Sequence, residues 1–304
     1  MYKLWLFSIL LILFTRPDAK AQQLEVAFSI QDDLLTWFSV DDPSIQNTIS
    51  VTGLPPWLEG NALAYDTDNE RLLFVHGNTL TNRAIYAVDL SGVTLSASGT
   101  VSAGAAVNLG TMSFEGPREV YGGSFYNGSY YVLIDGTDSL RKVSFDAAGT
   151  ITSQININLP GSRDMFLGDI AFAANGDLWI AGFNQYDGSP ADDRLWRFST
   201  ADGGNTFDYQ QTIEPAGDRY NGIFFDVTGT DLYGYRYNTV INGYGGIDTT
   251  TGAPTLIYSG YPFIQGGDLS NGFFIGVEVP EPTSALMVMT GLGCLFGRRR
   301  RAQA

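Results

Sequence analysis

Gly168-Asp169-Ile170-Ala171-Phe172 leads through Asn175-Gly176 to Asp177-Leu178-Trp179-Ile180-Ala181, and then to Arg194-Leu195-Trp196-Arg197-Phe198. Short apolar runs separated by Asn-Gly turn chemistry are the pattern of strands joined by tight hairpins. The order recurs. Gly122-Gly123-Ser124-Phe125-Tyr126 leads through Asn127-Gly128 to Tyr130-Tyr131-Val132-Leu133-Ile134 and on to Leu140 through Asp146. Gly222-Ile223-Phe224-Phe225-Asp226 leads through Thr228-Gly229 to Asp231-Leu232-Tyr233-Gly234-Tyr235, then to Gly246-Ile247-Asp248 and Thr251-Gly252. An earlier copy runs from Asn61 through Asp66 to Arg71-Leu72-Leu73-Phe74-Val75 and Ala84 to Asp89. A last copy starts at Gly267-Asp268-Leu269-Ser270, turns at Asn271-Gly272, runs from Phe273 to Val277 and stops.

Copies starting near 61, 122, 168, 222 and 267 repeat at the period of propeller blades, about 40 to 50 residues or slightly more. Each reads as strand, tight turn, strand, longer loop, and a strand ending in Asp. The expectation is an all-β chain forming a β-propeller of five recognisable blades, with degenerate copies leaving six or seven open. A β-sandwich or β-solenoid is the alternative. The truncated fifth copy needs outer strands, and Leu34 to Asp42 matches the third-strand pattern, with Ile49 to Leu54 following as the fourth. Closing a ring with strands from both termini removes exposed edges. The units resemble the exported Leu-Tyr…Asp-x-x-Thr-Gly propeller repeats of bacterial surface proteins. They lack the Gly-His and Trp-Asp pairs of WD40 blades, and only Gly122-Gly123 hints at kelch.

Three regions divide the chain: 1–21, 22–278 and 279–304. In the first, Lys3 precedes an apolar stretch from Leu4 to Phe14, and Ala19-Lys20-Ala21 offers an A-x-A cleavage site before Gln22. These are the marks of a secretory signal peptide. In the last, Val279-Pro280-Glu281-Pro282 is followed by an apolar run from Thr283 to Gly297 and by Arg298, Arg299, Arg300 and Arg301. Pro280 and Pro282 fix φ and remove donors, which favours an extended, protease-accessible segment. The apolar run makes a helix of about 22 Å at 1.5 Å per residue, short against a hydrocarbon core of about 30 Å, and the arginines hold its end on the cytoplasmic side.

This order resembles the PEP-CTERM sorting signal of exported proteins in Gram-negative, often biofilm-forming bacteria. The resemblance implies recognition of Pro280, Glu281 and Pro282 by exosortase, a membrane-embedded cysteine protease-transpeptidase, with Arg298 to Arg301 as retention signal. It also implies signal peptidase as a processing partner at Ala19 and Ala21. The expected destination is the cell surface or extracellular matrix, with membrane contact only through the C-terminal segment before processing.

Charge narrows the partners of the body. The leader holds Lys3, Arg16 and Lys20 and the tail four arginines, so ten of the 17 basic residues remain; all but Asp18 and Glu281 of the 32 acidic residues remain, for a net charge of about −20. Such a surface repels nucleic acid and anionic headgroups, and leaves neutral or cationic polymers, extracellular polysaccharide among them, as partners. Cys294, the only cysteine, lies in the tail, so disulfides play no part in the body. One histidine and no body cysteine remove most zinc, haem and thiol chemistry.

The remaining candidates each have a bland reading beside the chemical one. His76 reads as a loop or rim residue, since a Ser-His-Asp centre would rest on it alone. Asp169, Asp268 and Glu119 lie near inner-strand starts, where two carboxylates could cleave a glycoside, yet an Asp beside glycine there also caps a turn. Asp66-Thr67-Asp68-Asn69-Glu70 superficially suggests a calcium loop but lacks the EF-hand glycine and spacing; Asp192-Asp193 reads as a solvated pair. Gly243-Tyr244-Gly245-Gly246 reads as an inter-strand loop. Tyr130, Tyr131, Tyr233, Tyr235 and Tyr237 offer stacking faces for sugars, against ordinary alternating exposure in blade strands. The expected function is thus a non-catalytic binding or structural propeller without a resident cofactor. A secreted carbohydrate-active enzyme (glycoside hydrolase or lyase) and a calcium-dependent adhesive module are the alternatives.

Overall fold

The computed structural model describes residues 22–31, 34–54, 60–76, 82–96, 101–113, 120–134, 137–161, 165–184, 193–214, 219–237, 243–259, 268–269 and 273–278. Both expected cleavage residues, Ala19 and Ala21, the whole tail including Pro280 to Pro282 and Arg298 to Arg301, and Glu119 and Asp192 lie outside them. Among the described residues no helix is long and apolar enough to cross a membrane.

Among the described residues, twenty-three strands form five sheets. The N-terminal three are β1 (Gln22–Gln31), β2 (Leu34–Ser39) and β3 (Gln46–Thr52). The next blade uses β4 (Gly60–Asp66), β5 (Arg71–His76), β6 (Asn82–Asp89) and, after the excursion β7 (Leu95–Ser96) and β8 (Val101–Ala105), β9 (Val107–Ser113). Three regular four-stranded meanders follow: β10 (Val120–Tyr126) to β11 (Ser129–Ile134), β12 (Ser139–Phe145) and β13 (Ile151–Asn158); β14 (Met165–Phe172) to β15 (Leu178–Asn184), β16 (Asp193–Ser199) and β17 (Asp208–Ile213); β18 (Arg219–Phe225) to β19 (Leu232–Tyr237), β20 (Gly243–Ile247) and β21 (Pro254–Ser259). The chain's last described strands are β22 (Asp268–Leu269) and β23 (Phe273–Glu278). The five blades read from the repeats are the five blades present.

The closing blade is assembled differently from the expected one. The repeat pattern makes 267–270 and 273–277 the two arms of a hairpin. Instead, Asp268 pairs with Ile30 and Phe273 with Val26, so β22 and β23 lie end to end along one edge of β1 and together form the innermost strand. β1 supplies the second strand, and β2 and β3 the third and fourth, as expected. The turn expected at Asn271-Gly272 lies outside the described residues; β1 occupies the edge that a returning arm would take. Gln22, the residue after the expected signal cleavage, pairs with Val277.

Apolar burial is arranged in five slabs, one between each pair of neighbouring blades. A strand in the middle of a blade is therefore covered on both faces. In β11 all six residues are buried, and neighbours part company: Tyr130 and Val132 pack toward the preceding blade, Tyr131 and Leu133 toward the following one. This geometry explains why the inner runs are continuously apolar rather than alternating. It also corrects the expected alternating exposure of the tyrosines, since Tyr130, Tyr131 and Tyr235 are all buried. Tyr233 is partly buried and stacked on Tyr244; Tyr237 ends β19.

Each innermost strand carries a one-residue register step, between Asn61 and Ala64, Val120 and Gly123, Phe166 and Asp169, and Tyr220 and Gly222. A matching step separates Leu269 from Phe273 against β1. A bulge bends a strand and increases its twist, which suits strands crowded around a ring axis.

Candidate functional site

At the ring axis the backbones meet with almost no room. A Cβ added at Gly122 would lie 2.6 Å from the Cα of Asp169, and one at Gly123 would overlap the Ala62 carbonyl. Glycine is required here for close approach, not for its backbone freedom. Asp169 is fully buried at this crossing. Its Oδ1 accepts the N–H of Ile170 at 2.7 Å, and its Oδ2 accepts the N–H of Ile223 in the next blade at 2.8 Å. Asp169 is thus a joint between blades. Asp268 is not its structural counterpart: Asp268 precedes the register step of its strand, whereas Asp169 follows its own. The two Gly-Asp dipeptides are alike in sequence and differ in level along the axis.

Similar links cross the other junctions. The Tyr130 hydroxyl donates to the Ala62 carbonyl and that of Tyr131 to the Gly204 carbonyl. Glu25 accepts the N–H of Val227 at 2.7 Å, and the Asn47 amide donates to the Ser96 carbonyl at 2.9 Å. Lys142 reaches Asn205 at 2.8 Å and lies over the Tyr131 ring; burial holds its pKa below the usual lysine range, partly offset by Asp202.

His76 is not a rim residue. It ends β5, is buried, and meets the rings of Phe74 and Tyr86 edge-on at 6.4 and 5.6 Å. Asp66 is likewise committed: Oδ1 accepts the N–H groups of Asp68 and Asn69, and Oδ2 takes Arg71 Nε at 2.7 Å. A guanidinium in that position competes directly with a cation, so the segment works as a capped turn. Among the described residues no three His, Cys, Asp or Glu side chains converge as a metal site. Asp193 opens β16. Gly243 to Gly246, read as a loop, forms most of β20; a Cβ at Gly245 would overlap the Thr255 carbonyl, so the glycines serve strand contact.

The tight turns between first and second strands and between third and fourth strands share one face, because successive strands of a meander reverse direction. Asp residues cap them: Asp146 accepts from Ala148 and Thr150, Asp226 from Thr230 and Asp231, and Asp248 from Thr250 and Thr251. On this face, between the third and fourth blades, lies a shallow groove of about 340 Å³. Trp179, Phe225, Thr230 and Thr249 line it. Arg197, the cross-strand partner of Trp179, has its guanidinium 5.8 Å from the indole ring and is held by Asp177 at 2.8 Å. A second groove of about 370 Å³ shares Thr230 and Thr249 and continues over Tyr233, Asp231 and Asp248. Sequence reasoning missed this site. Asn175-Gly176 fixes only the β14–β15 register, whereas the pairing of Trp179 with Arg197 belongs to the next hairpin, β15–β16.

Fold and site together define a five-bladed β-propeller with a hydroxyl- and carboxylate-lined groove on its turn face. No family model and no curated protein matches the chain. Among solved structures it is similar to a protein from Lactobacillus plantarum at 14% identity and a TM-score of 0.42, covering 86% of this chain and 70% of that one. It is also similar to the Dos1 propeller at 11% identity and a TM-score of 0.44, covering 86% and 63%. An exo-β-1,3-galactanase from Phanerochaete chrysosporium shows 11% identity and a TM-score of 0.45, covering 80% and 65%. None of these carries a function over to this chain.

Proposed function

We propose that this protein is an exported, non-catalytic binding propeller, released or anchored at the cell surface after exosortase acts at Pro280-Glu281-Pro282. The observation that carries the non-catalytic part is Asp169, a ring-centre carboxylate whose two oxygens are spent on the N–H groups of Ile170 and Ile223. A glycoside-cleaving pair needs both carboxyl groups turned to a substrate at about 5 to 9.5 Å from each other. The tail sequence alone supports the export part.

The ligand chemistry favoured by the turn-face groove is neutral and rich in hydroxyls, such as an uncharged polysaccharide. Thr230, Thr249 and Thr250 offer donors and acceptors, and Asp231 and Asp248 oppose anions, beside the largely buried Trp179 that lines the groove. Amphipathic rings with a few convergent polar groups fit sugars well.

Two measurements test the proposal. The mature protein from its native host, weighed with and without exosortase, should end near Pro280 to Thr283 only when the enzyme is present; an intact tail in both strains would sink the sorting reading. Titration with neutral glucans and galactans should change tryptophan fluorescence, and Trp179→Ala should abolish the change. Release of reducing ends from those polymers would instead establish an enzyme.

A further inference from the structure

Arg83 is a buried cation that its surroundings do not answer. It lies on β6 at the same parity as Ile85 and Ala87, which pack toward the second blade. Alternation along a strand turns Arg83 into the same slab, where it is only 6% exposed. Its Nε has no hydrogen-bond partner. On the opposing blade, Arg141 shares the parity of Val143, which faces this slab, and so is directed toward the first blade.

The two arginines stand at nearby levels. Arg83 pairs with Met112, and Arg141 with Asn156. Gln154, which pairs with Val143, donates to the carbonyl of Thr111, which pairs with Ala84, at 3.1 Å. That contact places Arg83 and Arg141 within one or two residues of each other along the strands, about 3 to 7 Å. Carboxylates are missing at this level. The eight strands of the two blades carry only Asp66 and Asp89, both at turn-face ends. Asp89 is six residues from Arg83 on the same strand, about 20 Å away. Asp138, just before β12, is exposed. By contrast Arg194, near the start of the third strand of the third blade, has Glu214 at 3.6 Å.

A guanidinium does not shed its proton in proteins, and a charge taken out of water needs an opposite charge or acceptors. Burial also lowers the pKa of Arg141 from its ordinary value. We propose that Arg83 and Arg141 together hold a small oxyanion of the phosphate or sulfate class between the first and second blades. The planar fork of arginine matches two oxygens of such a group. The size of the ligand follows from charge. A body of about −20 repels a polyanion along its whole length, whereas a small anion feels distant carboxylates only within a Debye length of about 8 Å. Both arginines lie near the starts of their strands, away from the turn face, so this site is separate from the groove. The anion ties the first blade to the second, as Asp169 ties the third to the fourth.

Thermal melting of the full chain tests this, in a phosphate-free zwitterionic buffer with ionic strength held by sodium chloride. Inorganic phosphate should raise the melting temperature by about 2 to 4 °C and then level off. Arg83→Met, which keeps an apolar stem and removes the fork, should lose the rise. Arg141→Met should lose it too, and decides the question if Arg83→Met does not fold. A folded Arg194→Met, altered on the slab between the second and third blades, should keep it. No rise in the wild type overturns the proposal. So does a rise that never saturates, which is the general effect of an excluded salt. A rise retained in full by Arg83→Met or Arg141→Met, or removed by Arg194→Met, overturns it as well.

Discussion

Asp169 and Ile223 are joined across two blades, the Oδ2 of one accepting the backbone N–H of the other at 2.8 Å in a fully buried setting. Removing that acceptor strands two buried donors, those of Ile170 and Ile223. Asp169→Ala should cost about 3 kcal/mol, within the range for buried donors that lose a charged acceptor. Urea unfolding monitored by tryptophan fluorescence checks this; a loss below about 1 kcal/mol would remove the joint from the account of the fold.

Gly123→Ala should be still more damaging. Its Cβ would overlap the backbone carbonyl of Ala62, which cannot rotate away as a side chain would. That carbonyl also receives the Tyr130 hydroxyl, so moving it breaks a second link. The expected cost is about 3 kcal/mol or more, the upper range for overpacking, read as lost soluble yield or a lowered urea midpoint. Gly92, with open space around its Cβ position, is a fair control only for sterics, because its φ of +73° resists other residues.

Truncation separates ring closure from sorting. A chain stopped after Val279 keeps β22 and β23 on β1 and should melt like the full chain. A chain stopped after Gly267 loses both strands, exposes the edge of β1 from Gln22 to Ile30, and should melt at a much lower temperature or aggregate. Equal melting temperatures for the two truncations would mean that the ring is held without its closing strand.

Two sets of carboxylates give opposite pH dependence. Burial, together with Asp226, Asp41 and Asp231, raises the Glu25 pKa above its ordinary 4.5, despite the N–H of Val227. A raised acid contributes stability in full below pH 4.5 and loses it as pH climbs through the folded value. Glu25→Gln keeps an acceptor for Val227 and removes the charge. It should stabilise the protein at pH 7 by about 0.5 kcal/mol after solvent screening, and much less at pH 4. Asp202 and Asp248 lie on the other side. The N–H of Thr206 and that of Thr251, respectively, lead the groups holding their pKa values below the ordinary 3.8. Their contribution is present above pH 3.8 and fades as pH falls through the folded values. Urea midpoints of Asp202→Asn and Asp248→Asn measured from pH 2 to 7 should draw toward the wild type as pH falls below 3.8. Parallel curves would contradict this assignment.

The five recognisable repeats, most of the hairpin turns and the strands contributed by the N-terminus were legible because each depends on a few neighbouring residues, whereas the sequence left six or seven blades open. Asn127-Gly128 and Asn175-Gly176 name their own turns, with Gly128, Gly176 and Asn127 all at positive φ. The hidden errors share one cause. The sequence points to alternating exposure at Tyr130 and Tyr131, a rim position for His76, and a hairpin between 267–270 and 273–277, because a single blade seen alone has two faces and two edges to spare. Stacking covers both faces, and β1 covers the edge.

By itself the sequence determined an acidic, all-β chain of five repeated units, with the groups needed to cap its turns and, in resemblance, an address at each end. Those properties are set by local backbone preference, periodic burial and net charge, which need no knowledge of what lies opposite. Only the tertiary structure decided that Asp169 ties blades together, that Trp179 and Arg197 wall a groove, and that β8 covers the edge of β3. Each of these depends on which distant segment arrives at a given face or edge, and that is fixed by how five sheets close around one axis.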